Sequence, residues 1–451
     1  MPSLGDYGIV AGVAALVTFL VSFPVRRIAL RLKFVAIPDS RSIHEKMTPY
    51  GGGISMTLAV LVAIGVASLL SGIHPVFSGS SESYGVILGV LVIFAVGLVD
   101  DIREVSAPAK VAGEVLAATA LYFLGVTMYQ FKIPFAGFVV LSPTIIPLLV
   151  SLWVVGMTNA INLVDGLDGL AAGIVAIASG ALAIYGIRLE SLGLLPSSNI
   201  GPLIAVITFG ACIGFLPHNF NPARMFMGDS GSLVLGLLMA ASTIVIGGRA
   251  PEVSGTTYFF FAPLFLPLFI LGVPIADMAF AFVRRTARGQ SFHTPDKDHL
   301  HHRLLRLGHG HRRSVIILWL WTALLSAVVL FPLFTKSGSS FIPLVAAGFG
   351  LFLYTIFHPR LKDTEGHRDT EGGQGGQGAP EAVVEVSTAV SGTPSSAPAH
   401  TPSTSTASVP SDISVPTEST TSVAPTGDHT LSTLARVLPP SGGGSSRASG
   451  K

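Results

Sequence analysis

The chain has 451 residues, of which 50% are hydrophobic and only 12% are charged, and its mean hydropathy is +0.65. Soluble globular proteins carry about 25% charged residues, so this composition excludes an ordinary soluble enzyme and predicts a polytopic membrane protein. The formal net charge of +2 gives no electrostatic reason to expect a nucleic-acid partner. The single cysteine, Cys212, excludes an intramolecular disulfide.

Apolar segments of roughly the length that crosses a bilayer recur along the chain. They cover 7–25, 53–71, 84–99, 110–127, 141–157, 169–187, 201–216, 231–247, 258–282, 314–334 and 340–357. Glu114 weakens the fourth segment, and Pro143 and Pro147 interrupt the fifth. The sequence therefore predicts an all-α integral-membrane domain, 1–362, with about eleven transmembrane helices.

Lys and Arg residues are distributed unequally between the two sides of the predicted spans. Seventeen lie in loops on one side, and four lie in the loops on the other side. Because cytoplasmic loops are enriched in Lys and Arg, this distribution predicts an outside N-terminus and a cytoplasmic C-terminus. No Lys or Arg precedes the first span, and Arg26 and Arg27 follow it directly, which indicates a retained helix rather than a cleaved signal peptide.

Residues 363–451 differ in composition from the rest of the chain. They are rich in Gly, Ser, Thr, Pro and Ala and contain almost no aromatic residues. Such a segment cannot bury enough apolar surface to offset the entropy lost on ordering. We expect it to be a disordered cytoplasmic tail.

Carboxylates are distributed unequally between the two predicted faces. Sixteen precede the tail, and ten of these fall in the loops assigned to the cytoplasm. A transporter more often places ionisable groups near the middle of the bilayer, so the asymmetry favours chemistry at the cytoplasmic surface. Four polar clusters stand out on that face.

The first cluster is the adjacent pair Asp100 and Asp101 at the end of an apolar span. The helix macrodipole is negative at a C-terminus, so two carboxylates there need a compensating positive charge. A divalent cation, or the cationic part of a bound substrate complex, would supply that charge, and hard oxygen ligands suit Mg²⁺. The alternative is a pair of solvated loop acids beside Arg103.

The second cluster contains Asn162, Asp165 and Asp168, spaced at intervals of three. On a helical or 3₁₀ path these side chains share one face, which indicates a polar site. Asp168 as a simple N-cap of the following helix is the alternative.

The third cluster, Phe226 to Ser232, combines Gly, Ser and Asp229 at the start of an apolar span. A helix start of this kind offers free backbone N–H groups to a phosphate, and its carboxylate can hold the accompanying metal. Ordinary helix capping by Asp and Ser remains equally open.

The fourth cluster is the basic loop 284–313, which contains Arg285, His299, His301 and His302. No cysteine is available there for zinc, and a nest of Arg and His matches a pyrophosphate better. Other basic residues of the loop are assigned first to membrane topology or given no role: Arg303, Arg306, His309, His311, Arg312 and Arg313.

Together these motifs resemble the polyprenyl-phosphate N-acetylhexosamine-1-phosphate transferases, or glycosyltransferase family 4. The resemblance is carried, in order, by Pro38 to His44 with Pro49 to Gly53, Val99 to Asp101, Asn159 to Leu170, Phe226 to Ser232 and Asp298 to His302. The His-x-His-His pattern at 299–302 resembles the branch that uses UDP-N-acetylglucosamine. His293-Thr-Pro departs from the usual family pattern and leaves the sugar open.

The resemblance implies roles for particular residues. Asp229 and Asn162 would hold Mg²⁺, with Mn²⁺ as an alternative. Asp100 and Asp101 would lie at the lipid-phosphate site, with Asp165 and Asp168 as further catalytic residues. Substrate-binding roles fall to Asn162, Arg285, His299, His301, His302 and Lys46.

The implied reaction transfers N-acetylhexosamine 1-phosphate, with N-acetylglucosamine as the favoured sugar, from a UDP-sugar to undecaprenyl phosphate. It would release UMP at the cytoplasmic face of a bacterial plasma membrane and begin a cell-envelope polysaccharide. The expected partners are the two substrates and the lipid bilayer, and a homodimer is left open. The alternatives are a polyprenol-linked flippase or secondary transporter, which would produce no UMP, and a structural scaffold.

Overall fold

The computed structural model describes residues 2–36, 47–133, 137–249, 272, 310–334 and 342–357. The predicted span 258–282 and the predicted tail 363–451 lie outside the described residues, apart from residue 272. Within them the chain is mostly helical. The helices are α1 Leu4–Arg31, α2 Gly52–Leu69, α3 His74–Phe77, α4 Glu82–Ile102, α5 Ala107–Phe123, α6 Ile146–Val164, α7 Leu170–Ser191, α8 Gly201–Asn219, α9 Gly228–Gly247, α10 His311–Phe334 and α11 Ile342–Phe357.

Two short antiparallel strand pairs add to the helices. They are β1 Val35–Ala36 with β2 Thr48–Pro49, and β3 Gln130–Ile133 with β4 Gly137–Val140. The prediction of an all-α chain did not include these two pairs, whose strands are only two and four residues long.

Each of the ten predicted spans that fall in the described part of the chain corresponds to a helix. Eight helices there are long and apolar enough to cross a membrane: α1, α2, α4, α6, α7, α8, α9 and most of α10. Helices satisfy all their backbone hydrogen bonds internally, which is why apolar spans adopt them in lipid. The chain is a polytopic membrane protein.

Helix α9 is the centre of the bundle. All residues of an 18-residue apolar stretch of α9 are buried inside the protein, whereas only 22% of such a stretch of α1 is buried. It packs against α2, α4, α6, α7 and α8. A helix that is apolar on all sides belongs inside a bundle, and this position puts the polar start of α9 at the meeting point of several helix ends.

Helix α6 differs from its predicted bounds. The sequence predicts a span over 141–157, but the helix covers Ile146–Val164. Pro147 lies in its first turn, where a missing N–H costs no hydrogen bond, so this proline helps to start the helix instead of interrupting it. The shift places Asn159 and Asn162 on α6 itself.

Helices α4 and α9 approach closely at Gly97. A Cβ atom at this position would lie 2.5 Å from Ser230 Cα, so any larger residue would push α4 away from the start of α9. This close approach brings the C-terminus of α4, with its two carboxylates, against the N-terminus of α9.

Candidate active site

Four helix ends meet at one end of the bundle and carry the polar residues of the candidate site. Asp100 lies at the end of α4, Lys110 at the start of α5, Asn162 in the last turn of α6 and Asp229 at the start of α9. Most other residues of these helices are apolar, so this end of the bundle holds a concentration of polar side chains.

Lys110 connects two of the acids. Its Nζ atom lies 2.8 Å from Asp100 Oδ2 and also contacts Asp229 Oδ2. The other oxygen of Asp100 accepts a hydrogen bond from the backbone N–H of Val105 at 2.7 Å. The Lys110 and Asp100 side chains are only 14% and 15% exposed, so solvent screens this pair poorly. Lys110 therefore supplies positive charge that an acidic helix C-terminus requires.

Asp101 caps helix α9. Its carboxylate accepts hydrogen bonds from the backbone N–H groups of Asp229 (2.7 Å) and Ser230 (3.1 Å), and from the Ser230 hydroxyl (2.6 Å). Gly228 permits this approach because its φ is +72° and a Cβ atom there would lie 2.6 Å from Asp101 Oδ2. The prediction that the N–H groups of the third cluster are free for a phosphate is therefore wrong at Asp229 and Ser230, because a carboxylate from α4 occupies them.

The Asn162 amide faces Asp229. One amide atom lies 3.2 Å from Asp229 Oδ1 and 2.8 Å from Ser232 Oγ, and the other lies 3.0 Å from Lys110 Nζ. With the nitrogen in the first position, each contact pairs a donor with an acceptor. With the oxygen there, the amide would place an oxygen beside Asp229 Oδ1, and oxygen atoms of this kind are ligands that suit Mg²⁺.

Asp165 ends helix α6, and no hydrogen bond links its carboxylate to the described residues. Burial, together with the negative charges of Asp229, Asp101 and Asp168, raises the pKa of Asp165 to about 7. An acid held in this way is poised between its charged and neutral forms near neutral pH.

The Asp168 side chain is bound to the 221–223 segment. Its Oδ2 atom accepts hydrogen bonds from Asn221 Nδ2 (2.9 Å) and from the backbone N–H of Ala223 (3.0 Å). It does not cap α7, which starts after Gly169 without a side-chain cap. The expected common face of Asn162, Asp165 and Asp168 is not formed, because α6 ends at Val164 and the chain then turns.

The Pro49 to Gly53 motif docks onto the segment before α9. The backbone N–H of Phe226 donates to Pro49 O at 2.9 Å, and that of Gly53 donates to Met227 O at 2.9 Å. The contact holds Tyr50 beside the segment that leads into α9. There, burial and the charges of Asp101, Asp229 and Asp165 raise the pKa of the Tyr50 hydroxyl.

Comparisons with known proteins identify the family. The model of glycosyl transferase family 4 matches residues 83–247, which include Asp100, Lys110, Asn162 and Asp229. The chain is 40% identical over 334 residues to the decaprenyl-phosphate N-acetylglucosaminephosphotransferase of Mycobacterium tuberculosis, with 72% of this chain and 81% of the relative covered. This chain belongs to glycosyl transferase family 4.

Two other relatives of this family-4 chain carry names of related enzymes. This chain is 34% identical over 367 residues to the "Probable undecaprenyl-phosphate N-acetylglucosaminyl 1-phosphate transferase" of Bacillus subtilis, and the match covers 79% of this chain and 92% of the relative. It is 34% identical over 260 residues to the phospho-N-acetylmuramoyl-pentapeptide-transferase of Desulforudis audaxviator, covering 52% and 75%. The sequence-based identification of a family-4 transferase is confirmed.

Five of the predicted site residues of this family-4 protein lie outside the described part of the chain: Lys46, Arg285, His299, His301 and His302. Among the predicted residues that are described, Asp100, Asn162 and Asp229 meet around Lys110, and Asp101 and Asp168 are held by other parts of the chain.

Sequence reasoning missed Lys110 as a site residue and counted it only as a topology signal. Glu114, one turn later on α5, is buried and accepts a hydrogen bond from Asn159 Nδ2 at 2.7 Å. The available signal was this Lys–Glu pair, four residues apart, in an otherwise apolar span, since ionisable residues in such spans are rarely without a function.

The residues at the start of α9 fit a partial Mg²⁺ site. Within the part of the chain that the structure describes, no three His, Cys, Asp or Glu side chains converge as a complete metal site. Mg²⁺ is commonly held by one or two protein carboxylates together with substrate phosphates and water, so a complete protein set is not required. Asp229, whose side chain is 31% exposed, and Asn162 can contribute oxygen ligands of this kind.

Proposed function

We propose that this chain transfers N-acetylglucosamine 1-phosphate from UDP-N-acetylglucosamine to a polyprenyl phosphate, such as undecaprenyl phosphate. An acceptor phosphate oxygen forms a bond to the β-phosphorus of the donor, and the bond from that phosphorus to UMP breaks. The products are polyprenyl-diphospho-N-acetylglucosamine and UMP. The reaction takes place at the cytoplasmic face of a bacterial plasma membrane and begins a cell-envelope polysaccharide.

The observation that carries the proposal is the meeting of Asp100, Asn162 and Asp229 around Lys110 at one end of an apolar bundle. Such a site lies where a lipid-bound phosphate and a water-soluble nucleotide can meet. The names of the mycobacterial and Bacillus relatives support N-acetylglucosamine as the sugar. The Lys and Arg distribution supports eleven spans with the N-terminus outside and this end of the bundle in the cytoplasm.

We propose Asp229 and the Asn162 amide oxygen as ligands of Mg²⁺, with Mn²⁺ as a substitute. When bound, the ion neutralises charge on the diphosphate and makes UMP a better leaving group. Asn162 can serve this purpose because its amide oxygen can be turned toward Asp229 Oδ1.

Lys110 prepares the site for phosphates. Its ammonium group offsets the charges of Asp100 and Asp229, so two anionic substrates meet less repulsion there. Asp100 is a poor proton acceptor because both of its oxygens are already engaged, by Lys110 and by the Val105 N–H. A phosphate monoester has its second pKa near 6, so the acceptor is mostly dianionic at pH 7 and needs no general base.

These facts favour a single displacement without a covalent aspartyl intermediate. We propose that the Asp165 carboxylate, which lies at the end of α6, contacts a substrate. On the family resemblance alone, we propose that the donor diphosphate is bound by Arg285, His299, His301 and His302. Lys46 is proposed on the same ground as a further substrate-binding residue.

The test is UMP release by the detergent-purified protein with polyprenyl phosphate and Mg²⁺. UDP-N-acetylglucosamine, UDP-N-acetylgalactosamine and UDP-muramoyl-pentapeptide are compared as donors, and decaprenyl and undecaprenyl phosphate as acceptors. We expect lipid-dependent, EDTA-sensitive UMP from UDP-N-acetylglucosamine only. UMP release from another donor would overturn the sugar assignment. If folded protein releases UMP from none of the three donors, the transferase proposal is wrong and the transporter alternative is favoured.

A further inference from the structure

The start of helix α10 is attached to the turn that follows α6. His311 Nε2 accepts a hydrogen bond from the backbone N–H of Asp168 at 3.1 Å. Since this nitrogen accepts, the ring proton lies on Nδ1. The next residue, Arg312, donates from Nε to the carbonyl oxygen of Asn221 at 3.0 Å. Two consecutive residues of α10 therefore hold two different loops.

These two loops are also bound to each other. Asp168 Oδ2 accepts hydrogen bonds from Asn221 Nδ2 (2.9 Å) and from the backbone N–H of Ala223 (3.0 Å). Asp168 is thus fixed through its backbone by α10 and through its side chain by the 221–223 segment. The start of α10, the turn at Asp168 and the 221–223 segment are therefore all bound to one another. Among the described residues, His311 supplies the only acceptor for the Asp168 N–H.

A second contact, about two turns further along α10, holds this helix against the bundle. The Trp319 indole N–H donates to Leu170 O at 3.4 Å, and its ring lies 5.6 Å from the ring of Phe220. Gly173 leaves the space for this indole, since a Cβ atom there would lie 1.9 Å from it. The α10 helix is therefore anchored independently of His311, which allows the histidine contact to be removed without releasing the helix.

We propose that His311 is a positioning residue for the transfer reaction: by holding the Asp168 N–H, it fixes the turn that presents the Asp165 carboxylate to the site around Asp229. The inference rests on the proposed function. Asp165 ends α6 and lies three residues before Asp168 in this turn, so the backbone of the turn sets its position. His311 acts on the reaction only through that backbone.

The first experiment measures hydrogen–deuterium exchange of peptides covering 165–170 in the full-length protein. His311→Ala should speed exchange there, and His311→Gln should restore protection because the Gln side-chain oxygen can accept the same hydrogen bond. The matched control is His74→Ala, which removes an exposed histidine of α3 and should leave exchange at 165–170 unchanged. Unchanged exchange in His311→Ala would overturn the proposal.

The second experiment measures steady-state UMP release by the same variants. His311→Ala should lower kcat about 3- to 10-fold, the effect of losing one hydrogen bond, with less than a twofold change in either KM and little change in melting temperature. His311→Gln should recover most of kcat. Faster exchange with an unchanged kcat would overturn the positioning role and leave the proposed function intact. Absence of UMP release by the wild-type protein would instead overturn the proposed function, and this inference with it.

Discussion

Asp101 on α4 caps the helix that carries Asp229, with the Asp229 backbone N–H donating to Asp101 Oδ1 at 2.7 Å. A carboxylate at the positive end of a helix dipole is favourable, whereas the same carboxylate at the end of its own helix is not. The junction between α4 and α9 thus offsets an unfavourable charge by placing it against a favourable helix end. Asp229 owes its position to this contact.

Removing the cap should destabilise the protein before it affects chemistry. Asp101→Ala leaves three donors of Asp229 and Ser230 without their acceptor, and we expect a fall in melting temperature of about 5 °C or more. Asp101→Asn keeps one acceptor oxygen and should retain a folded protein with measurable UMP release. Differential scanning fluorimetry and UMP assays test this pair, and a complete loss of activity in well-folded Asp101→Asn would show that Asp101 takes part directly in the reaction.

Replacing Lys110 should make stability depend on a divalent cation. Lys110→Met leaves Asp100 and Asp229 without their shared ammonium, so the melting temperature should fall, and added Mg²⁺ should recover part of the loss by supplying positive charge. The comparison is the melting temperature in Mg²⁺ and in EDTA. Arg103→Met, which removes an exposed cation next to α4, is the control and should show no added Mg²⁺ dependence. An equal Mg²⁺ response in Lys110→Met and wild type would argue against this role.

The helices could be predicted from sequence because each is an apolar run that lipid forces into helical structure. The bounds of α6 could not be predicted from sequence, because Pro147 marks a helix start only when the chain before it is known to turn. The sequence also indicated that Asp100 and Asp101 need compensating positive charge, which is found in Lys110 and in the start of α9.

The identity of these partners was not available from local spacing. Lys110 and Asp229 are 119 residues apart, and Asp101 and Ser230 are 129 apart. Which helix ends meet depends on how the bundle packs, for example on the close contact at Gly97, and no periodicity encodes that.

Glu114 should stabilise the site through Asn159. Its Oε2 atom accepts from Asn159 Nδ2 at 2.7 Å, and its Oε1 atom is buried without a partner in the described part of the chain. Glu114→Gln keeps an acceptor without burying a charge, so it should be at least as stable as wild type, whereas Glu114→Ala should melt several degrees lower. The matched control is Glu190, a buried acid bound to Tyr7 far along the chain, whose Gln variant should leave UMP release unchanged. A Glu114→Ala protein as stable as wild type would contradict this account.

The pKa of Asp165 predicts how stability depends on pH. Burial and three nearby carboxylates raise it to about 7 in the folded protein, from roughly 3.9 in an unfolded chain. The folded state holds this proton more tightly than the unfolded state does. The contribution of protonated Asp165 to the free energy of unfolding is therefore complete below about pH 4 and is lost as the pH rises from there through about 7.

Asp165→Asn cannot ionise and should therefore gain stability relative to wild type as the pH rises. We expect its advantage in melting temperature to be about 2 °C or more greater at pH 8 than at pH 5. Glu104→Gln, which neutralises an exposed acid, should show the same difference from wild type at both values. A pH-independent effect of Asp165→Asn would mean that this carboxylate is ionised throughout.

The most direct test of the central claim follows the β-phosphate of the donor. Purified protein is given UDP-N-acetylglucosamine labelled at the β-phosphate, polyprenyl phosphate and Mg²⁺. The label is measured in the lipid and nucleotide fractions for wild type, for Asp229→Asn and for the control Asp6→Asn, which changes an acid in the first turn of α1. The account predicts label in the lipid and one unlabelled UMP per transfer for wild type and Asp6→Asn, with no transfer by Asp229→Asn. Label transfer by folded Asp229→Asn at the wild-type rate, or UMP release without label in the lipid, would contradict it.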